Sequence, residues 1–140
     1  MTLDKAVLEE SLGLAADDDI GLTVAFYDRL FADHPSVRPL FGNDIRPQAQ
    51  MLQQAIVAVL DHLDDSAWLG ATLGELGRKH ASWGVTEAMY GWVATTLIAT
   101  MAERAGSRWT PEMSAAWADA LDALATIMLA AYPVRADNPS

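Results

Sequence analysis

The sequence predicts an all-α protein. Apolar residues recur at intervals of three and four along nearly the whole chain, and no segment has the alternating pattern of a half-buried strand. Residues that favour helix starts and helix ends divide this pattern into segments of helical length. With 140 residues, 51% of them hydrophobic, the chain can form one hydrophobic core. We therefore predict one domain at residues 1–133 and a C-terminal tail at residues 134–140.

Two helices are predicted before the first proline. The first runs from about Leu3 to Leu14, and Asp17 can cap the N-terminus of the second. The second helix should end at His34, because a residue that precedes a proline is disfavoured in the helical region. Its predicted inward face consists of Ile20, Val24, Tyr27, Leu30 and Phe31.

The next segment, PSVRPLFGND at residues 35–44, contains two prolines and a glycine. It predicts short turns that fix an aromatic side chain, Phe41, and not a long helix. A third helix should begin near Ile45, with Pro47 in its first turn, where proline is tolerated. Its apolar stripe is Ile45, Leu52, Ile56, Val59, Leu60 and Leu63.

Three further helices are predicted in the second half. Ser66 can cap the fourth, which contains three glycines and is therefore expected to be irregular. Thr86 opens a fifth helix, which runs to about Arg104. Thr110, followed by a proline and a glutamate, marks the start of a last helix that extends to Tyr132.

Composition and charge exclude several classes of function. The net charge of −10 and the pI near 4.4 argue against nucleic acid and against anionic membrane surfaces as partners. The N-terminus lacks the basic start of a signal peptide, and we find no apolar run long enough to span a bilayer. These features predict a cytoplasmic protein with neither nucleic acid nor membrane as partner.

Residues 73–84, LGELGRKHASWG, place a histidine in an apolar stripe. His80 lies seven residues after Leu73 and four after Leu76, so the three share one helix face, which points inward. Two interpretations are open from this segment alone. His80 is either a core histidine hydrogen-bonded to a carbonyl or a ligand for a metal or haem.

Two other polar residues also point inward on predicted helices. Tyr27 lies beside Leu30 on the second helix, and Gln48 shares a face with Leu52 on the third. Each alone is consistent with an ordinary core or half-exposed side chain. Together with His80 they predict a pocket around a large apolar cofactor with a polar centre, because each buried polar group needs a partner.

Other site chemistries fit the sequence less well. The three histidines lack the spacing of a zinc site, and the chain has no cysteine to act as a thiolate ligand or nucleophile. The acidic runs at 17–19 and 64–65 fit helix caps and solvated turns better than a calcium loop. The sequence also contains neither a phosphate-binding glycine loop nor a GxSxG motif.

Three segments resemble the globins, specifically the bacterial single-domain haemoglobins related to the haem domain of flavohaemoglobins, and also neuroglobin-like proteins. These segments are FYDRLFADHPSVRPLF at 26–41, LGRKHASWGV at 76–85 and AAWADAL at 115–121. Their order and spacing extend the resemblance over nearly the whole chain. It implies a globin fold, in which three helices pack on three around a haem pocket.

The resemblance also implies a haem b site. His80 would be the iron ligand, Phe41 would pack on the porphyrin, and Tyr27 and Gln48 would form the distal polar pair, the residues implied to be catalytic. Arg46 and Lys79 are candidates for contacts with the haem propionates. The remaining implied haem contacts are Leu52, Ile56, Leu76, Val85, Tyr90 and Val93.

One position departs from the resemblance. Flavohaemoglobins and their single-domain relatives support the proximal histidine with a tyrosine–glutamate pair. Tyr90 matches the tyrosine, but Tyr132 stands where the glutamate is expected. Loss of a carboxylate that accepts the imidazole N–H should weaken chemistry that depends on electron donation to the iron.

The function implied by the resemblance is reversible binding of dioxygen, for storage or delivery. One alternative is nitric oxide dioxygenation with electrons from a separate reductase, or a weak peroxidase activity. A second alternative is a haem-based gas sensor. The expected partners are dioxygen, nitric oxide or other small gases, and the chain is expected to be a monomer or a homodimer.

Overall fold

The computed structural model describes residues 3–16 and 20–133, and these form six α-helices joined by short connections. The described residues contain no strand, and the predicted all-α class is confirmed. The predicted cap at Asp17, the acidic run at 17–19 and the tail at 134–140 lie outside the described residues. The helices are α1 (Lys5–Ala15), α2 (Gly21–Asp33), α3 (Arg46–Asp61), α4 (Ser66–Ser82), α5 (Glu87–Ala105) and α6 (Pro111–Ala130), with 3-10 turns at Pro35–Leu40 and Gly106–Arg108.

Most helix boundaries follow local sequence signals. α2 ends at Asp33, directly before His34 and the proline that follows it. Pro47 lies in the first turn of α3, as predicted. At the start of α6 the Thr110 side chain accepts a hydrogen bond of 3.2 Å from the Met113 N–H. The last helix ends at Ala130, two residues before the predicted end at Tyr132.

Two predictions about α4 were wrong. Its N-cap is Asp65, whose carboxylate accepts a hydrogen bond of 3.0 Å from the Trp68 N–H, and Ser66 is the first helical residue. The helix is also continuous and not irregular, although it contains three glycines. Gly77 is buried where α4 crosses α6, and a Cβ atom there would lie 2.2 Å from the Met128 carbonyl oxygen. Close packing of the two backbones therefore outweighs the low helix propensity of glycine.

The core consists of two apolar clusters. The larger joins α1, α2, α5 and α6, and includes Phe26, Leu97, Met101 and Trp117. On α2 the most deeply buried residues are Leu22, Thr23 and Phe26, whereas the predicted Val24 and Phe31 are only half-buried. The smaller cluster lies between α4 and α6 and consists of Leu69, Leu73 and Met128. The helix that carries His80 therefore packs on α6, away from the larger cluster.

The last helix was misjudged from the sequence in one respect. α6 is 20 residues long with a mean hydropathy of 1.3, so by length and composition alone it could cross a membrane. In the folded chain Met113, Trp117, Ala120 and Met128 of this helix are buried against the rest of the protein. One side of α6 therefore belongs to the core, and 22% of its most apolar 18-residue stretch is buried inside the protein.

Candidate functional site

Tyr27 lies inside a cluster of aromatic rings on α2 and the segment that follows it. Its ring centroid lies 4.9 Å from that of Phe26, 5.8 Å from that of Phe31 and 5.3 Å from that of Phe41. Only 5% of the residue is exposed. The predicted short turns before Phe41 are a 3-10 helix, Pro35–Leu40, and this helix brings Phe41 back against α2.

The Tyr27 hydroxyl meets an amide from α3. Gln48 Nε2 donates a hydrogen bond to Tyr27 Oη at 3.4 Å, a long bond that still identifies the two groups as neighbours. Burial raises the pKa of Tyr27, and the hydrogen bond from Gln48 opposes that rise. The phenol therefore stays protonated and can donate its own hydrogen to a third group. The structure thus brings together two predicted site residues that are 21 positions apart in the sequence.

His80 lies near the C-terminal end of α4 and is half-buried. Its Nδ1 donates a hydrogen bond of 2.8 Å to the Leu76 carbonyl, so in the neutral ring the lone pair is on Nε2. Burial lowers the pKa of His80, and the bond to the backbone opposes that effect. The imidazole is therefore neutral near pH 7. The bond to a carbonyl and the availability of Nε2 as a ligand occur together, so the two interpretations of His80 are compatible.

The other two histidines differ from His80 in their surroundings. His62 also donates from Nδ1 to a carbonyl, that of Ala58 at 2.7 Å, but its ring is stacked on Trp68 with 3.9 Å between the centroids. His34 is stacked on Trp92 at 4.3 Å. The aromatic rings nearest His80 are not stacked on it: Trp83 lies 5.3 Å and Tyr90 6.2 Å away between centroids, and both are tilted. His62 is therefore a natural control for experiments on His80.

The apolar side chains of α3 and α4 that were predicted to contact haem are half-buried. α3 packs mainly on α2, and α4 packs on α6. Val59 of α3 reaches the cluster between α4 and α6, whereas Ala49 and Leu60 of the same helix belong to the larger cluster. The predicted haem contacts that are half-buried are Phe41, Leu52, Ile56, Leu76, Val85, Tyr90 and Val93.

Some predicted haem contacts are exposed, and others also line grooves elsewhere in the fold. Arg46 and Lys79 are exposed, and Lys79 Nζ lies 3.8 Å from a Glu75 carboxylate oxygen. Ile56 also lines a groove of about 440 Å³ between α1, α2 and α3. Tyr90 also lines a groove of about 490 Å³ between α5 and α6.

Sequence reasoning missed the turn that follows His80. Gly84 has a positive φ of 83°, its N–H donates to the Ala81 carbonyl at 3.1 Å, and the Val85 N–H donates to the His80 carbonyl at 3.0 Å. These two bonds form a Schellman motif, the glycine-dependent helix end. The glycine and valine directly after an apolar-faced helix were the sequence signal for it. Trp83, beside this turn, is 56% exposed.

The sequence matches the profile of the family described as Globin over residues 24–128. The flavohemoprotein of Rhizobium meliloti is 30% identical over 127 residues, which are 89% of this chain and 32% of that protein. The flavohemoprotein of Bordetella pertussis is 30% identical over 128 residues, with the same two shares. This chain thus spans about a third of the length of these curated relatives.

Solved structures share the fold. A bacterial globin from Campylobacter jejuni gives a TM-score of 0.76 at 19% identity, over 91% of this chain and 92% of the other. A carbene transferase engineered from a Rhodothermus marinus protein named as a nitric oxide dioxygenase gives 0.78 at 25% identity, over 91% of both chains. The family match includes Tyr27, Gln48 and His80, and extends from α2 into the last turns of α6. This chain belongs to the globin family.

Proposed function

We propose that this globin binds haem b through His80 and reversibly binds dioxygen beside Tyr27 and Gln48, as a cytoplasmic protein for oxygen storage or delivery. One observation supports the proposal most directly. His80 is a neutral imidazole whose Nδ1–H is taken up by the Leu76 carbonyl, which leaves Nε2 as a ligand. A neutral histidine with its other nitrogen bonded to a carbonyl is the usual proximal ligand of haem iron.

The residues present fit a haem group. A porphyrin is a large, flat, apolar ligand, and the predicted apolar contacts Leu52, Ile56 and Leu76 on α3 and α4 are only half-buried. Such side chains gain burial when an apolar ligand covers them, by about 25 cal/mol per Å². In this arrangement Phe41, Leu52, Leu76 and Val93 would contact the ring. Lys79 and Arg46 are exposed cations that would face the carboxylate side chains of haem.

When bound, ferrous haem supplies an iron centre that takes up small diatomic gases. The contribution of this chain is the environment of the gas. The Tyr27 hydroxyl, kept protonated by burial, and the Gln48 amide can each donate a hydrogen bond to a ligand with partial negative charge. Each bond contributes on the order of 1–2 kcal/mol, which corresponds to roughly five- to thirtyfold in a dissociation rate.

Nitric oxide dioxygenation is the second candidate. The curated relatives are named flavohemoproteins, and one structural neighbour derives from a protein named as a nitric oxide dioxygenase. In that reaction nitric oxide is oxidised to nitrate, and a separate reductase would supply electrons to this chain. The hydroxyl of Tyr132 bonds to the Val85 carbonyl, and His80 Nδ1 bonds to the neutral Leu76 carbonyl and to no carboxylate in residues 3–16 and 20–133. This arrangement favours the binding function over an enzyme that depends on a strongly donating histidine.

Absorption spectra and a single substitution test the proposal. The purified protein loaded with haemin should give distinct spectra in the ferric, deoxy and oxygenated states. Tyr27→Phe should speed oxygen release about five- to thirtyfold, because one donor is removed. Thr126→Val, which removes an exposed hydroxyl on α6 that bonds to the Asp122 carbonyl of the same helix, is the control. An unchanged release rate in Tyr27→Phe would remove Tyr27 from its assigned role.

Nitric oxide consumption separates the candidate functions. With a generic reductase and an electron donor, a dioxygenase would consume nitric oxide over many cycles. The proposed oxygen binder would consume about one equivalent per oxygenated site, and a repeated turnover would favour the enzyme. A gas sensor, the third function that the resemblance implied, would require a partner whose binding or activity changes with gas occupancy.

A further inference from the structure

The turn between α4 and α5 is attached to the carbonyl of the candidate ligand itself. The Val85 N–H donates to the His80 carbonyl at 3.0 Å, so the chain folds back on His80 after Gly84. The Trp83 N–H donates to the same carbonyl at 3.1 Å. Any displacement of this turn therefore acts on the backbone of His80, and the position of Val85 is coupled to that of the histidine.

The other side of Val85 is bonded to a tyrosine beyond the end of α6. The Tyr132 hydroxyl donates to the Val85 carbonyl at 2.9 Å, and it lies 2.9 Å from the Tyr90 hydroxyl on α5. A carbonyl only accepts, so the single hydrogen of the Tyr132 hydroxyl is used on Val85. Tyr90 must therefore donate to Tyr132. The chain of hydrogen bonds runs in one direction, from Tyr90 through Tyr132 to the Val85 carbonyl.

Two contacts thus attach the last turn of α4 to the C-terminal end of α6. One is the hydrogen-bonded chain just described. The other is the backbone contact at Gly77, where a Cβ would lie 2.2 Å from the Met128 carbonyl oxygen. His80 is three residues after Gly77 and five before Val85, so it lies between the two contacts.

We propose that Tyr132 is a positioning residue for His80, which holds the Val85 turn and thereby sets the direction of the imidazole. The inference rests on the proposed role of His80 as the iron ligand. The ring is also flanked by Trp83, with 5.3 Å between centroids, and by Tyr90, with 6.2 Å. Both neighbours belong to the same hydrogen-bonded arrangement. Loss of the Tyr132 hydroxyl would let the turn move, and the rings that flank the imidazole would move with it.

The test compares Tyr132→Phe with Thr126→Val in the full chain. Each removes one hydroxyl, but Thr126 is exposed on α6 and its hydroxyl donates to the Asp122 carbonyl of its own helix. The first measurement is hydrogen exchange of the Val85 amide by NMR, in the carbon monoxide form or, should the protein bind no haem, as purified. We expect exchange to speed up roughly three- to tenfold in Tyr132→Phe, the factor for one hydrogen bond, and not in Thr126→Val.

The second measurement is the iron–histidine stretching band of the ferrous protein by resonance Raman spectroscopy. It should shift by several wavenumbers in Tyr132→Phe and stay in place in Thr126→Val, because it reports the ligand and not the stability of α6. Unchanged Val85 exchange or an unchanged band in folded Tyr132→Phe would overturn the proposal, as would equal changes in Thr126→Val. Failure of haem to bind would instead contradict the proposed function, and the exchange measurement would still test the turn.

A second variant covers the case in which Tyr132→Phe does not fold. Tyr90→Phe removes the donor to Tyr132 but leaves the bond from Tyr132 to Val85. Val85 exchange should then increase by a smaller factor than the loss of the direct bond would produce. An increase supports the proposal, and exchange at the wild-type rate contradicts it.

Discussion

The two sides of the candidate site are built in different ways. Tyr27 is fixed by side chains, since Phe26, Phe31 and Phe41 surround its ring and, within the described residues, a single hydrogen bond from Gln48 reaches its hydroxyl. His80 is fixed by backbone groups: the Leu76 carbonyl, the Schellman turn and the contact of Gly77 with α6. Side-chain packing tolerates small adjustments, whereas a contact between two backbones does not. The histidine side of the site should therefore be the less tolerant of added volume, and the tyrosine side the less tolerant of removed volume.

The largest effect is expected from removing volume beside Tyr27. Phe26 is fully buried, so Phe26→Ala should lower the free energy of unfolding by about 3–5 kcal/mol. Phe31 is half-buried on the same helix, so Phe31→Ala should cost clearly less. Urea unfolding of both variants checks the difference. Equal losses of unfolding free energy in the two variants would show that the buried ring of Phe26 contributes no more to the cluster around Tyr27 than the half-buried ring of Phe31.

Adding volume beside His80 should give the next largest effect. Gly77→Ala places a Cβ 2.2 Å from the Met128 carbonyl oxygen and should cost about 1–3 kcal/mol, since neither backbone can move freely. Gly70→Ala is the matched control, because no atom lies within 4 Å of its added Cβ. It should stabilise α4 by about 0.5–1 kcal/mol. A neutral Gly77→Ala in urea unfolding would show that α4 and α6 are not in backbone contact.

Alkaline pH distinguishes the buried phenol of Tyr27 from a solvated one. Its pKa is raised by burial above the ordinary value of about 10, so the folded state holds the proton more tightly than the unfolded chain. Stability from this group is therefore fully present below pH 10 and is lost as the pH rises toward the folded pKa. The difference in unfolding free energy between wild type and Tyr27→Phe should shrink or reverse between about pH 8 and pH 11. A constant difference would contradict burial of the phenol.

The smallest effect on stability is expected at Lys79. Its pair with Glu75 is exposed and 3.8 Å long, so Lys79→Ala should change the free energy of unfolding by less than about 0.5 kcal/mol. Haem loss, measured by transfer to an excess of a haem acceptor, should nevertheless be faster if Lys79 contacts a propionate. Lys5→Ala, far along the chain on α1, is the control. Unchanged haem loss would remove Lys79 from the predicted contacts.

The fold could be predicted from the sequence because its signals are local. Proline at 35 and at 47, the threonine cap at 110 and the helical spacing of apolar residues each determine a boundary or a face without reference to distant parts of the chain. The continuity of α4 could not be predicted this way. It depends on the approach of Met128 to Gly77, a contact between residues 51 positions apart, and propensity alone indicates a weak helix there.

The candidate site was predictable in part for the same reason. Inward positions of Tyr27, Gln48 and His80 follow from helical spacing, but the bond between Tyr27 and Gln48 depends on how α2 and α3 cross. The bond from Tyr132 to the Val85 carbonyl was missed, because the sequence predicted Tyr132 inside a helix and α6 ends two residues earlier. Because Tyr132 lies beyond the end of α6, its hydroxyl can reach the turn after His80.

The most direct test of the central claim is replacement of His80 by glycine, followed by rescue with free imidazole. His80→Gly should lose the haem spectrum of the wild type, and millimolar imidazole should restore it by filling the space of the side chain. His62→Gly, which removes a histidine with the same bond to a carbonyl four residues earlier, should keep the wild-type spectrum without imidazole. Retention of the wild-type spectrum by His80→Gly, in the absence of imidazole, would contradict the account.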